Sequence, residues 1–215
     1  GIEPQDGFLA HLRKLCDDYN MVLIFDEVKT GFRLSNGGAR DTYGVIPHIS
    51  TYAKSLGNGF PVAAFGGSAD VMSVIGGGSV THAGTFGANA VSMAAAKAVL
   101  TILDETPVLE KLAERGKRLK NGLDKVLTEA GLPHQMSGHP NLQGFLITEK
   151  EVKEVRDLVH HDDDMYEAIC INMYNRGVWM EDDAREPWFI CEAHTEEIID
   201  ETLNKFEESV KEAIA

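Results

Sequence analysis

Two acids and a lysine occupy positions in this sequence where chemistry is expected. Residues 21–25, MVLIF, form an uninterrupted apolar run, which is typical of a strand buried on both faces of a parallel sheet, and Asp26 and Glu27 follow it directly. Ligands of open α/β sheets bind beyond the carboxyl ends of the strands, so we expect these acids to lie in a site. Lys54 follows 28 residues after Asp26, within YAKSLGNG, before a second short apolar segment at residues 61–65.

These residue types suit the chemistry of pyridoxal phosphate (PLP). A lysine amine can hold PLP as a Schiff base, and a carboxylate that keeps the pyridine nitrogen protonated allows the ring to accept electrons. A charge-assisted hydrogen bond of this kind is roughly twice as strong as a neutral one. A P-loop NTPase is the alternative, with Asp26 and Glu27 as the Walker B acids, although the 215 residues contain no Walker A motif.

Three segments carry a resemblance to a known family; in chain order they are LIFDEVKTGFR, YAKSLGNGFPVAAFGG and HAGTFGANAV. Their order and spacing resemble the class III aminotransferases of PLP fold type I. Two further segments, GGARDTYGV and RGVWMEDDAREPWFICEAHTEE, are most similar to the glutamate-1-semialdehyde aminomutase branch and its aminotransferase relatives. The resemblance extends over nearly the whole chain.

The resemblance implies an α/β fold. Residues 1–104 are expected to be the C-terminal part of the PLP-binding large domain, which has a mainly parallel sheet with helices. Residues 105–215 are expected to form a bridging helix and a small α+β C-terminal domain. Because GIEPQDGF at the start of the chain resembles the middle of the family's large domain, we expect the sequence to be a C-terminal half.

The resemblance also implies roles for five residues. Lys54 would form the internal aldimine and then move the substrate proton, Asp26 would bind the pyridine nitrogen, and Val28 would pack against one face of the ring. Thr85 would bind the PLP phosphate of the neighbouring subunit, so a homodimer with shared active sites is expected. Glu186 corresponds to a glutamate near the substrate entrance of aminomutase-like members, but residues 181–185, EDDAR, differ from their Ala-Pro-Ser segment.

The same residues also have simpler structural interpretations. Asp26 could be an acid in a loop that caps a helix, Val28 could be an ordinary core residue, and the Thr85 hydroxyl could bond only within its own turn.

The expected function is PLP-dependent transfer of an amino group from an amino acid or amine to a keto or aldehyde acceptor. A glutamate-1-semialdehyde type of aminomutase is an alternative within the same chemistry. A fragment without activity of its own is a further alternative.

Composition argues against several other classes of partner. The chain has 20 basic and 34 acidic residues, a formal charge of −14, which repels nucleic acid and anionic lipid surfaces. Because no apolar run approaches the roughly 20 residues of a membrane-spanning helix, we expect a cytoplasmic protein. The cysteines Cys16, Cys170 and Cys191 are few and far apart, and we expect buried free thiols. Residues 160–164, HHDDD, are interpreted as a capped helix start and not as a metal site.

Apolar periodicity and turn residues predict the remaining elements. Helices are predicted after a cap at Asp6, at residues 88–104, from Pro107 to Glu129, at residues 163–176 and at residues 195–213. Strands are predicted at residues 143–148, 178–181 and 188–192, a surface loop between Phe32 and Ser50, and a flexible glycine link at residues 76–79.

Overall fold

The computed structural model describes residues 1–76 and 79–215. The middle of the predicted glycine link, Gly77 and Gly78, therefore lies outside the described residues. The chain divides into two compact units: an N-terminal unit, Pro4–Leu109, and a C-terminal unit made of Gly1–Glu3 and Glu110–Ala215.

The N-terminal unit contains a three-stranded sheet with helices. Its elements are α1 (Phe8–Asp18), β1 (Ile24–Asp26), α2 (Ala39–Thr42), β2 (Ile49–Tyr52), a 3-10 turn (Lys54–Leu56), β3 (Ala64–Gly67), α3 (Ala69–Gly76) and α4 (Ala90–Glu105). The helix α5 (Val108–Glu129) begins in this unit and continues into the next.

The sheet of the N-terminal unit has the strand order β1-β2-β3. β1 and β2 are parallel and pair Ile24 with Ile49 and Asp26 with Thr51, whereas β3 runs antiparallel to β2. An antiparallel edge strand beside parallel strands is common in α/β folds. The parallel pair is the part of this sheet that positions the acid and the lysine.

β1 is shorter and more exposed than its apolar run predicts. Phe25 is buried, but Met21, Val22 and Ile24 are 50%, 49% and 54% exposed. The expectation of burial on both faces is therefore wrong for the chain as described. A buried strand needs an apolar layer on each face, and residues 1–76 and 79–215 leave these three side chains largely in contact with solvent.

A side chain caps the start of α4, whereas no side chain caps the start of α1. Asn89 caps α4, because its side-chain oxygen accepts the N–H groups of Val91 at 3.1 Å and Ser92 at 3.2 Å. The predicted cap at Asp6 is wrong, because α1 begins after Gly7, which has a left-handed φ of 78°, and no side chain caps the helix.

The C-terminal unit is an α+β arrangement. α5 is followed by β4 (His134–His139), β5 (Leu142–Ile147), a second 3-10 turn (Val155–His160), α6 (Asp163–Asn175), β6 (Trp188–Phe189) and α7 (Glu196–Ala213). The three strands form an antiparallel sheet in the order β4-β5-β6. The core joins α5, β5, α6 and α7 through the fully buried side chains of Leu123, Phe145, Ile169 and Phe206. Burial of each such side chain contributes roughly 1.5–3 kcal/mol.

Side-chain caps begin both α6 and α7 in the C-terminal unit. The carboxylate of Asp162 accepts the N–H of Met165 at 3.0 Å at the start of α6, so the capped helix start within residues 160–164 is confirmed. Thr195 caps α7, with Glu196 and Glu197 in the first turn where the helix dipole favours acids.

The predicted strand at residues 178–181 does not form. α6 ends at the left-handed Gly177 (φ 77°), and the N–H of Val178 donates back to the carbonyl of Met173 at 3.0 Å. The carbonyls of Met180 and Glu181 then accept tyrosine hydroxyls, from Tyr174 at 2.8 Å and Tyr166 at 2.9 Å. These two carbonyls therefore bind side chains and not the N–H groups of a neighbouring strand.

Candidate active site

Asp26 is the last residue of β1, and its carboxylate lies at the carboxyl end of the parallel strand pair. Its Oδ1 accepts the backbone N–H of Val28 at 3.0 Å and the hydroxyl of Thr51 at 3.3 Å. The side chain is exposed, as a group that binds a ligand must be. Two donors thus fix the orientation of a carboxylate that still has lone pairs available for a ligand.

Glu27 is buried on the opposite side of the strand end. It is 1% exposed, and its carboxylate accepts the hydroxyl of Thr30 and the backbone N–H groups of Ala39 at 2.9 Å and Arg40 at 3.0 Å. Gly38 permits this approach, because a Cβ at that position would lie 2.4 Å from Glu27 Oε2. Glu27 is therefore used to fix the loop that leads into α2, and it is not available as a second site acid.

Lys54 has an unusual backbone conformation. Its φ is 43°, in the left-handed region that lysine rarely adopts, and it is the first residue of the 3-10 turn after β2. Its carbonyl accepts the N–H groups of Gly57 at 3.1 Å and Asn58 at 2.9 Å, and its side chain is exposed. Backbone strain of this kind concentrates at functional sites and costs on the order of 1–3 kcal/mol, so it favours a role for Lys54 beyond packing.

Strand pairing brings Asp26 and Lys54 to the carboxyl ends of two neighbouring parallel strands. Thr51 is the register partner of Asp26, and Lys54 is the third residue after Thr51. Adjacent strands lie about 4.8 Å apart and each extended residue spans at most about 3.6 Å, so the two Cα atoms are at most roughly 16 Å apart. The acid and the lysine thus lie at the carboxyl ends of two neighbouring parallel strands, Asp26 as the last residue of β1 and Lys54 just after β2.

Val28 follows at the start of the loop and is half-buried. Its backbone N–H donates to the Asp26 carboxylate, so the position of its side chain is coupled to that of the carboxylate. A packing role against a flat ring and an ordinary role in the core are both compatible with this burial.

Thr85 lies in an exposed turn that precedes α4. The turn is closed by backbone bonds, from the N–H of Gly87 to the carbonyl of Gly84 at 2.9 Å and from the N–H of Asn89 to the carbonyl of Phe86 at 3.2 Å. Phe86 is 75% exposed beside it. Within residues 1–76 and 79–215, the Thr85 hydroxyl has no hydrogen-bond partner, so the turn does not depend on it.

Glu186 lies in the C-terminal unit, on the segment between α6 and β6. Its N–H donates to the carbonyl of Asp183 at 2.9 Å, which closes a turn, and its side chain is half-buried. Within that turn Arg185 Nε binds Asp183 Oδ1 at 2.7 Å, and hydrogen bonds from this guanidinium lower the pKa of the Asp183 carboxyl. The segment therefore places a charged pair directly before Glu186.

The described residues show neither a metal cluster nor a membrane span. No three His, Cys, Asp or Glu side chains are grouped so that they could bind a metal ion in the described ranges 1–76 and 79–215. In the same ranges no helix is both long and apolar enough to cross a bilayer.

Comparison with known proteins decides the family. The family model described as Aminotransferase class-III matches residues 1–210 of this chain. The chain belongs to the class III aminotransferases. It is 40% identical over 213 residues to glutamate-1-semialdehyde 2,1-aminomutase 1 of Lachnoclostridium phytofermentans, an alignment that covers 97% of this chain and 50% of the relative.

Two solved structures have a similar fold over almost the whole length of this chain. An omega-transaminase from Sphaerobacter thermophilus matches with a TM-score of 0.87 and 29% identity over 98% of this chain and 49% of its own. The FumI protein of Sphingopyxis sp. MTA144, in its PLP internal aldimine form, matches with a TM-score of 0.85 and 27% identity over 98% of this chain and 47% of its own. The predicted family and PLP fold type I are confirmed, and this class III chain spans about half the length of the relatives it matches.

Family membership excludes one alternative, and side-chain burial corrects one expectation. The P-loop interpretation is wrong, because the family is that of the class III aminotransferases and because Glu27 is bonded to the loop backbone. The expectation of three buried thiols is wrong for Cys191, which is exposed, whereas Cys16 and Cys170 are buried.

Sequence reasoning placed Glu27 in the site as a second acid, which is wrong because its carboxylate binds the loop backbone, and it did not find the supporting residues Thr51 and Ser55. Alternation along a strand offered a signal for Glu27, because successive side chains point to opposite faces and two adjacent acids cannot both face one ligand. Ser55 donates its hydroxyl to the carbonyl of Gly31 at 2.7 Å, a contact across 24 residues that no local pattern indicates.

Proposed function

We propose that this chain carries the lysine and the ring-binding acid of a PLP-dependent enzyme that transfers an amino group from an amino acid or amine to a keto or aldehyde acceptor. The observation that supports this most strongly is that Asp26 and the left-handed Lys54 lie at the carboxyl ends of the paired strands β1 and β2. Family membership and the PLP-bound relative support the choice of cofactor.

Asp26 fits the ring-nitrogen position by its chemistry. Its carboxylate is exposed, and the Thr51 hydroxyl and the Val28 N–H orient it. It can therefore accept a hydrogen bond from a protonated ring nitrogen in a fixed direction. Bound PLP supplies an electron sink that stabilises the charge left when a bond to the substrate carbon next to nitrogen breaks. A fixed anion at Asp26 keeps that sink effective, because it favours the protonated ring nitrogen.

Lys54 has two tasks in this proposal. Its amine would hold PLP covalently, and as a free amine it would take and return the substrate proton. An exposed side chain on a fixed turn suits both tasks, because the amine can move between two positions while the backbone stays in place.

The proposal extends to the partners of the enzyme. We propose a cytoplasmic homodimer in which Thr85 reaches the phosphate group in the neighbouring subunit's site. The exposed, glycine-flanked turn supports this, because glycines allow close backbone approach to a ligand, and so does the Thr85 hydroxyl, which has no hydrogen-bond partner among the residues that the structure describes. The proposed substrates are a small amino donor and a small carbonyl acceptor.

Aminomutase activity is a second candidate, favoured by the 40% identity to the Lachnoclostridium phytofermentans aminomutase. An aminomutase moves the amino group within one carbon skeleton, so it needs no separate donor and acceptor. Residues 181–185, EDDAR, in which Arg185 binds Asp183, differ from the Ala-Pro-Ser segment of aminomutase-like members, so Glu186 by itself does not support an aminomutase substrate.

One experiment separates these functions. The native full-length protein is first loaded with PLP. It is then given either glutamate-1-semialdehyde alone or an amino donor together with a 2-oxo acid. We expect turnover with donor and acceptor together. Turnover with the semialdehyde alone would establish the aminomutase, and no turnover under any condition, with PLP bound, would contradict the proposal and favour a chain without activity.

A further inference from the structure

We propose that Ser55 is a positioning residue for Lys54, and that Glu27 supports it through the loop between β1 and α2. This inference rests on the proposed function of Lys54. It concerns residues that bind neither ring nor substrate, and it follows from a hydrogen-bond path that links the two strand ends.

The path begins at Glu27. Its backbone N–H donates to the carbonyl of Thr51 at 2.9 Å, which extends the β1-β2 ladder one residue beyond Asp26. Its carbonyl accepts the N–H of Gly31 at 2.8 Å, and the carbonyl of Gly31 accepts the Ser55 hydroxyl at 2.7 Å. Ser55 is the residue after Lys54, so the turn that carries the lysine is bonded to the loop that follows the acid.

The loop at the centre of this path has little freedom to move. Gly31 is enclosed, because a Cβ there would lie 2.7 Å from the Tyr52 ring and 2.8 Å from the carbonyl of Glu27. At its far end the buried Glu27 carboxylate binds the N–H groups of Ala39 and Arg40. A neutral, half-buried hydrogen bond from Ser55 to such a fixed carbonyl can hold a strained turn in place.

The strained turn is the part that needs support. Lys54 is left-handed at φ 43°, and the next turn bonds, from Leu56 to Ala53 and from Gly57 to Lys54, are local. Strained backbone persists where the surrounding structure over-determines it. The Ser55 hydroxyl supplies a contact from outside the turn, so its loss should let Lys54 sample other conformations and react more slowly with PLP.

The test measures how fast Lys54 reacts with PLP, independently of turnover. The native full-length apoprotein is mixed with PLP, quenched with borohydride at successive times, and the pyridoxyl mass on the Lys54 peptide is quantified. Loss of one neutral hydrogen bond corresponds to about a two- to tenfold effect, so we expect Ser55→Ala to slow labelling about two- to tenfold. Ser55→Thr, which keeps the hydroxyl, should restore the wild-type rate.

Ser73→Ala is the matched control, because the Ser73 hydroxyl also donates to a backbone carbonyl at 2.7 Å, that of Asp70, but within its own helical turn. It should label at the wild-type rate. Thermal unfolding of each apoprotein is measured alongside, and if Ser55→Ala does not fold, Ser55→Cys, which has only a weak donor, takes its place with the same expected slowing.

The outcomes separate the inference from the function on which it rests. Labelling of Lys54 at the wild-type rate in folded Ser55→Ala would overturn the positioning role alone, as would equal slowing in Ser73→Ala. Wild-type protein that binds PLP without any label on Lys54 would overturn the proposed function and the positioning role together.

Discussion

The Thr51 hydroxyl donates a hydrogen bond to Asp26 Oδ1 at 3.3 Å, between two residues that are register partners in the β1-β2 ladder. The parallel pairing therefore determines both the position and the orientation of this carboxylate. Because Lys54 follows Thr51 by three residues, the same pairing determines where the lysine turn begins.

Lys54 should be the residue that PLP modifies. Borohydride reduction of the native full-length protein with PLP should leave the pyridoxyl mass on the peptide containing Lys54, and Lys54→Ala should abolish both the label and nearly all turnover. Peptide mass spectrometry is the measurement. Label on a different lysine, with Lys54 unmodified, would contradict the assignment.

Asp26→Asn should keep PLP bound but slow the proton-transfer step. A neutral amide no longer stabilises the protonated ring nitrogen, and the loss of a hydrogen bond to a charged group corresponds to roughly a ten- to hundredfold effect. Stopped-flow absorbance in a single turnover measures the rate. Glu27→Gln is a useful comparison, because the structure assigns Glu27 to the loop and predicts that its substitution lowers stability. A wild-type rate in Asp26→Asn would argue that the acid has a structural role only.

Residues 1–215 alone should bind PLP weakly. The chain spans about half the length of its relatives, and Met21, Val22 and Ile24 beside the acid are about half exposed. We expect equilibrium dialysis to give a much larger Kd for these 215 residues than for the native full-length protein. Tight, stoichiometric binding by the 215 residues would show that they assemble the site by themselves.

Thr85→Ala should weaken PLP binding about ten- to a hundredfold, because a hydrogen bond to a charged acceptor contributes roughly 1.5–3 kcal/mol. The loss should be rescued in trans. Mixed dimers of Thr85→Ala and Lys54→Ala subunits should contain one site with an intact lysine and a threonine from its neighbour. Activity at limiting PLP measures the rescue.

The two parent homodimers are the controls for this mixing experiment, and native mass spectrometry confirms that mixed dimers have formed. If mixed dimers form and activity does not recover, Thr85 acts within its own subunit or only in its own turn.

The thiols should differ in reactivity. Burial raises the pKa of the Cys170 thiol to about 12, so it stays protonated and unreactive at pH 8, whereas Cys191 is exposed. Iodoacetamide should therefore modify Cys191 in the folded protein and Cys170 only after unfolding in urea. Modification of Cys170 at the rate of Cys191 without denaturant would show that the α6 core opens readily.

Local patterns in the sequence determined which residues could do chemistry. An apolar run that stops at Asp26, and a lysine before a glycine turn, are features of neighbouring residues, and they need no knowledge of distant contacts. The same is true of α4, α6 and α7, whose apolar periodicity and polar cap residues are local signals.

Tertiary structure decided how those residues are used. Asp26 faces outward and Glu27 inward because the donors that satisfy Glu27 come from residues 12 and 13 positions later, Ala39 and Arg40. The left-handed turn at Lys54 and its bond from Ser55 to Gly31 likewise depend on two strands that pair across the chain. The backbone at residues 178–181 does not form a strand, and two of its carbonyls accept tyrosine hydroxyls instead. These outcomes depend on hydrogen bonds between residues that are 6 to 24 positions apart in sequence, and only the folded chain brings such partners together.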